Sequence, residues 1–243
     1  MRKRFFFSSK TEKPDLEQAD WSGDSVSAAR AELLRQIEAD VRMTAALTGV
    51  HELAPEIARA MVVVPRHEFV SAAQQSLAYE NIPLPIGHGQ TISQPFIVAI
   101  MSQLLRVRPG DVVLEIGTGC GYQAAVLAEL GLLVYSVEIV PALAESAAAS
   151  LARLGYANVT VRTDDGSQGW VEHAPFHAII VTAGGRCVPP ALIEQLHPGG
   201  RLVIPVGGYG FQSLTVIDKH ADGTTAETCV LPVAFVPLVD RQT

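Results

Sequence analysis

Cysteine is scarce in this chain of 243 residues: Cys120, Cys187 and Cys229 stand far apart, odd in number and without a C-x-x-C pair. That argues against a disulfide framework and a zinc knuckle, and most buried cysteines are simply small hydrophobes. No metal site is expected. Long apolar runs are missing too, because Gly, Pro or a charged residue interrupts each one within about ten positions, whereas a membrane-spanning helix needs roughly 18 in succession. Basic charge is not in excess: 18 Lys and Arg stand against 25 Asp and Glu, a formal net charge of -7, which argues against broad binding to a phosphate backbone. The opening Met1-Arg2-Lys3-Arg4-Phe5-Phe6-Phe7 has the basic flank of a signal peptide, but its apolar run of three falls short of the roughly 7 to 15 residues of an h-region. The expectation is a cytoplasmic monomer without nucleic-acid or membrane partners.

What is present is core-forming material, with 48% hydrophobic and 18% charged residues. Residues 1–24 are polar and without apolar period, the composition of a solvated tail. Val26, Ala29, Leu33, Leu34, Ile37, Val41 and Leu47 then recur mostly at three and four, which predicts an amphipathic helix stopped by Gly49. A second helical stretch follows Pro55, and a third covers Arg66 to Leu77. Asn81 to Gln94, rich in Pro and Gly, reads as a long loop without elements of its own, the kind that is usually functional. A helix from Pro95 to Leu105 follows.

From Asp111 short apolar runs alternate with helical segments, the pattern of a parallel sheet covered on both faces. Strands are expected at Val112–Ile116, Leu133–Glu138, Val159–Arg162, His177–Thr182 and Arg201–Pro205, with helices at Gly121–Glu129, Pro141–Leu154 and Pro189–Leu196. Ser213–Asp218 and Thr228–Val236 flank a turn-rich segment and form an antiparallel hairpin at one edge. The predicted fold is therefore α/β, a doubly wound, mostly parallel Rossmann-like sheet with N-terminal helices and a C-terminal hairpin. Its parts are a tail over 1–24, a helical region with the loop over 25–108, and a ligand-binding core over 109–243.

Gly117, Gly119 and Gly121 fall where the first strand turns into a helix, the ligand crevice of an open sheet, with Thr118 and Tyr122 among them. Glu138 ends the next strand, where an acid holds a ribose diol. The run reads E-x-G-x-G-x-G, with Glu115 just ahead. A carboxylate there is unhelpful to a pyrophosphate and suits a ligand carrying an ammonium group, as S-adenosyl-L-methionine does. Asp165-Gly166 follows the third strand, where an Asp can accept a bond from an adenine amino group. After the fourth strand, Val181 to Pro190 lacks the Asp- or Asn-Pro-Pro-aromatic signature of amino-methylating enzymes, and Cys187 lacks the Pro-Cys setting of a cytosine C5 nucleophile.

Val64-Pro65-Arg66-His67-Glu68-Phe69-Val70, Ile86-Gly87-His88-Gly89-Gln90-Thr91-Ile92-Ser93-Gln94-Pro95, the glycine loop, Asp165-Gly166 and Phe235-Val236-Pro237-Leu238 together resemble the protein-L-isoaspartate (D-aspartate) O-methyltransferase family over residues 50–239. The resemblance implies a class I S-adenosylmethionine-dependent enzyme that methylates the α-carboxylate of isoaspartyl residues in damaged proteins, a repair reaction. It places Ser93 at the active-site serine, His88, Gln90, Thr91, Ile92 and Val236 along the acceptor cleft, and Glu138 and Asp165 on ribose and adenine. Cys120 stands where a Ser is usual, and Gly184-Gly185-Arg186-Cys187 replaces a more Ala/Pro-rich stretch. Transfer of an activated methyl to a carboxylate that is already ionised needs positioning more than a strong base, so His88 is read as a contact residue. Ile82 to Gln94 contains no Asp or Glu that would repel such an anion. Two alternatives stay open: a same-fold methyltransferase for another carboxylate or a small molecule, and a non-catalytic adenosyl-nucleotide binding module.

Overall fold

The computed structural model describes residues 23–208 and 210–239, with side chains from residue 25. The expected tail lies outside the described residues except for Gly23 and Asp24, which already belong to the first helix. That helix, α1 (Gly23–Thr48), buries Val26, Leu33, Ile37 and Val41 as one stripe and closes on Gly49, whose φ of +70° suits glycine. Helix α2 (Pro55–Val63) begins on Pro55, whose missing N–H costs nothing at a first turn.

The single helix expected over Arg66 to Leu77 is corrected. The chain makes two short 3-10 turns, Arg66–Phe69 and Ala72–Leu77, separated by extended Val70 and Ser71. The first buries Arg66 and Phe69 and the second buries nothing, so no continuous apolar stripe sustains an α-helix. The loop Asn81 to Gln94 is also corrected, since it contains an antiparallel hairpin, β1 (Leu84–Gly87) with β2 (Gln90–Ile92). Its turn is His88-Gly89, with φ of 52° and 71°, the left-handed pair that matches strand twist. Helix α3 (Pro95–Leu104) follows, and its Phe96 N–H donates to Asn81 Oδ1 at 3.0 Å while Asn81 Nδ2 donates to Asp40 Oδ2 at 2.8 Å.

The second half follows the expected alternation: β3 (Val112–Ile116), α4 (Tyr122–Glu129), β4 (Leu133–Glu138), α5 (Pro141–Arg153), β5 (Val159–Thr163), β6 (Phe176–Val181), α6 (Pro190–Gln195), β7 (Leu196–Gly208), β8 (Phe211–Lys219) and β9 (Thr225–Val233). They build one seven-stranded sheet in the order β5-β4-β3-β6-β7-β8-β9. Neighbours from β5 to β7 are parallel, and β7, β8 and β9 form an antiparallel edge. Strand β7 is longer than expected at both ends, and β9 starts three residues earlier than Thr228 and stops at Val233 rather than Val236. The first half of β9 is exposed and polar, so the ladder places it where an apolar period cannot announce it.

Alternation along the strands feeds two apolar layers. Val113, Val134, Ala178, Ile180 and Val203 join the buried faces of α1 to α4, while Leu114, Ile116, Ile179, Val181 and Leu202 meet Trp170, Phe176 and Leu192. The N-terminal helices thus share a core with the sheet, and the hairpin β1–β2 is carried to the C-terminal ends of the parallel strands. Among the described residues no helix is long and apolar enough to cross a membrane.

Lys219, at the end of β8, donates from Nζ to the carbonyls of Ile193 and Leu196, each at 2.7 Å, and so closes the C-terminal end of α6. Lys219→Met is expected to lower stability by about 1–3 kcal/mol, the cost of leaving such acceptors without a partner. Thermal unfolding reads the loss, and an unchanged melting temperature would refute the capping role.

Candidate cofactor and acceptor site

The chain leaves β3 toward β4 on one side, while β6 and β7 lie on the other, so a crevice opens above Ile116 and Val181 where strand order reverses. A cavity of about 340 Å³ lies there, lined by Gly117, Gly119, Glu138, Val140, Gly166, Thr182 and Val236, with Gln90 and Thr91 reaching in from the hairpin. A second cavity of about 330 Å³ is lined by Ser93, Gln94, Ile97, Pro232 and Phe235 together with Thr91, Thr182 and Val236. The two chambers therefore share Thr91, Thr182 and Val236 as a common wall.

Glycine is required at 117, because φ is +93° and a Cβ would stand 2.5 Å from Thr182 Oγ1. That hydroxyl donates to the Gly117 carbonyl at 2.6 Å and fastens the end of β3 to β6. Gly166 presses equally close, since a Cβ there would overlap Ile116 Cγ2. Glu138 Oε2 accepts from Gly119 N at 2.8 Å and Oε1 from Val140 N at 3.0 Å, which holds the carboxylate rigidly at the cavity wall with lone pairs to spare for a diol.

Not every expected residue meets this cavity. Glu115 is corrected: it is fully buried beneath the loop and does not line either chamber. Register explains it, because Glu115 pairs with Ser136 across β3 and β4, and the Ser136 hydroxyl donates to its Oε2. Thr118 is buried beside them, its Oγ1 sharing a hydrogen bond with Ser136 Oγ at 2.5 Å. Burial pushes the Glu115 carboxyl up to about 8, against the opposing Ser136 bond. Tyr122 is also buried, edge-on to Phe69 and beneath the Arg66 guanidinium, which lies 4.8 Å from its ring centroid. Gly121 serves as the left-handed start of α4 and packs on Leu151. Asp165 is buried and accepts from Ser167 N at 2.9 Å, so its neighbour Gly166, and not Asp165, forms the cavity wall. Ile92 is buried under the hairpin, and His88 is exposed at the hairpin's tip.

Sequence reasoning missed Thr182, although its place at the end of a strand beside the switch point could have flagged it. It also could not foresee how residues 234–238 cross the crevice. Gly184 N donates to Val236 O and Leu238 N to Gly184 O, each at 2.8 Å, and Gln212 accepts from Phe235 N at 2.6 Å.

A sheet of this order, with a glycine-lined chamber at its switch point, defines a Rossmann-like methyltransferase fold. The family model described as Protein-L-isoaspartate(D-aspartate) O-methyltransferase (PCMT) matches residues 45–243, and the chain belongs to that family. It is 57% identical to protein-L-isoaspartate O-methyltransferase 2 of Syntrophobacter fumaroxidans, over 88% of this chain and 87% of that one. It is 53% identical to protein-L-isoaspartate O-methyltransferase 1 of Cupriavidus necator, over 90% and 85% respectively. A solved protein-L-isoaspartate O-methyltransferase superposes with a TM-score of 0.76 at 31% identity, covering 86% of this chain and 65% of the other. The chain is accordingly an enzyme of the isoaspartyl O-methyltransferase class, with S-adenosyl-L-methionine as methyl donor.

Two outcomes are expected from this geometry. Gly117→Ala should weaken S-adenosylhomocysteine binding by at least tenfold, about 1.4 kcal/mol, because the methyl would drive Thr182 from the loop; unchanged affinity in calorimetric titration would contradict that role. For Glu115 the folded-state pKa, about 8, lies above the ordinary 4.5, so its contribution to stability is fully present below about 4.5 and is lost as pH rises through about 8. Glu115→Gln should therefore gain on the ligand-free wild type as pH increases from about 5 to 9. Melting temperatures across that range test it, and parallel curves would show that the carboxyl carries no raised pKa.

Proposed function

We propose that this chain methylates the α-carboxylate of L-isoaspartyl residues in damaged proteins, with Ser93 orienting the acceptor. The observation that carries the reading is the shared wall of the two chambers: Glu138 and the glycine loop stand on one side, and Ser93 stands on the other. The residues present fit S-adenosylmethionine, since Gly117, Gly119 and Gly166 present bare backbone to the chamber and Glu138 offers a fixed acceptor. When bound, that group supplies a sulfonium methyl.

The remaining work is done by the chain itself. Glu138 holds the ribose diol, and Gly166, its turn fixed by buried Asp165 behind it, faces the adenine. The acceptor chamber contains no carboxylate side chain among its lining residues, so an anionic acceptor enters without repulsion. Ser93 donates to one carboxylate oxygen and leaves the other directed at the methyl. Thr91 and Val236 confine the altered backbone, Gln90 borders it from the cofactor chamber, buried Ile92 anchors the hairpin, and His88, exposed at the hairpin tip outside both chambers, meets the acceptor's flanking chain. No general base is needed, because the acceptor arrives ionised. In this reading residues 25–108 supply the acceptor loop and residues 109–243 the cofactor core, and the protein works as a cytoplasmic monomer without nucleic-acid or membrane partners.

A labelled methyl donor offered to a peptide with one isoaspartyl residue, and to its normal aspartyl twin, tests the function. Methylation of the first alone is expected, and methylation of neither by cofactor-binding protein would overturn the proposal. Ser93→Ala should lower turnover by about 10 to 100-fold, the loss of a charge-assisted hydrogen bond of roughly 1.5–3 kcal/mol. Stability should hardly change, because α3 draws its cap from Asn81 and has no side-chain cap of its own. A destabilised variant with full single-turnover activity would sink the catalytic role.

A further inference from the structure

Arg66 is completely buried, yet among the described residues no carboxylate pairs with it. Its Nη2 donates to the Ser93 carbonyl at 2.7 Å and, more weakly, to the Ile82 carbonyl at 3.4 Å. Nε and Nη1 have no acceptor, and the guanidinium rests over the Tyr122 ring. Taking a cation from water without a counterion is costly, and an apolar side chain over an aromatic ring would fill the same space at no such cost. Packing therefore does not account for it. What Arg66 alone does is hold two carbonyls that bracket the hairpin carrying Gln90 and Thr91: Ile82 lies before β1 and Ser93 after β2. Its charge also stands one carbonyl from Ser93, behind a chamber whose lining has no acidic side chain.

We infer that Arg66 is a positioning residue for the acceptor carboxylate, setting the backbone of Ser93 and clasping the hairpin ends from below. The inference rests on the isoaspartyl reading for its kinetic consequence and on geometry alone for the clasp. Asn81 secures the same segment from its outer end through Asp40 and Phe96, so losing Arg66 loosens the hairpin without unfolding α3.

Arg66→Lys and Arg66→Met separate this from a merely structural role. Active sites are counted by calorimetric titration with S-adenosylhomocysteine, methylation kinetics on the isoaspartyl peptide are normalised to that count, and hydrogen exchange follows residues 82–94. Per binding site, kcat/KM for the peptide should fall about tenfold in Arg66→Lys and about 100-fold in Arg66→Met. Raised peptide KM and lowered kcat should accompany an unchanged KM for the methyl donor. Amides of residues 82–94 should exchange faster in both variants, while those of β3 and β4 keep their protection. Wild-type kinetics per binding site, or unaltered exchange over 82–94, would overturn the inference. If Arg66→Met does not fold, Arg66→Lys decides. Should the wild type fail to methylate the peptide, the functional reading falls, and exchange in Arg66→Lys still decides the clasp.

Discussion

The closeness of two backbones at the switch point governs the rest of this molecule. Gly117 ends β3 against Thr182 at the end of β6, with the Thr182 hydroxyl on the Gly117 carbonyl at 2.6 Å. Parallel strands that diverge after such a contact leave a crevice, and at Gly117 only bare backbone fits against Thr182. Glu138 then fixes the outer wall by accepting from the glycine loop itself. The same Thr182 faces the second chamber, so the floor of one cavity is also the side of the other.

Around this frame the chain spends stability on buried polarity. Glu115 lies under the loop with one oxygen unpartnered, and Arg66 lies under the hairpin with two donors unpartnered. Each is placed against backbone that must hold its shape: Glu115 through Ser136 and Thr118 at the glycine loop, Arg66 through Ser93 and Ile82 at the acceptor segment. Hydrophobic layers on both faces of the sheet carry the energetic load and keep those carboxyl and guanidinium groups from water. This division matches a reaction that depends on the alignment of an activated methyl and an ionised acceptor, because alignment requires rigid backbone at both partners.

Much of the architecture was legible in linear form. Strands β3, β4, β5 and β6 and helices α4 and α5 were foreseen to within a residue or so, since a sheet covered on both faces writes itself as apolar runs separated by amphipathic ones. The hairpin β1–β2 was not, because strands of four and three residues are shorter than any period can register. The stretch from Arg66 to Leu77 misled for the opposite reason: it has helix-forming residues but no buried stripe after Phe69. At the site, Gly117, Gly119, Gly166, Glu138, Thr91, Ser93 and Val236 are legible in the motifs and do line the chambers, whereas Gly121 starts α4 against Leu151. Glu115 and Tyr122 came from the same motif and point into the protein.

That contrast marks where linear information stops. Residue types and local spacing determined the order of strands and helices, the need for glycine at the turn, the acid at the end of β4 and the membership of a family. Which way a side chain faces depends on strand register and on what packs against it: Ser136 beside Glu115, Tyr122 beneath Arg66, and residues 234–238 drawn across the crevice by Gly184 and Gln212. These contacts join residues 21 or more positions apart, and only the folded chain brings them together.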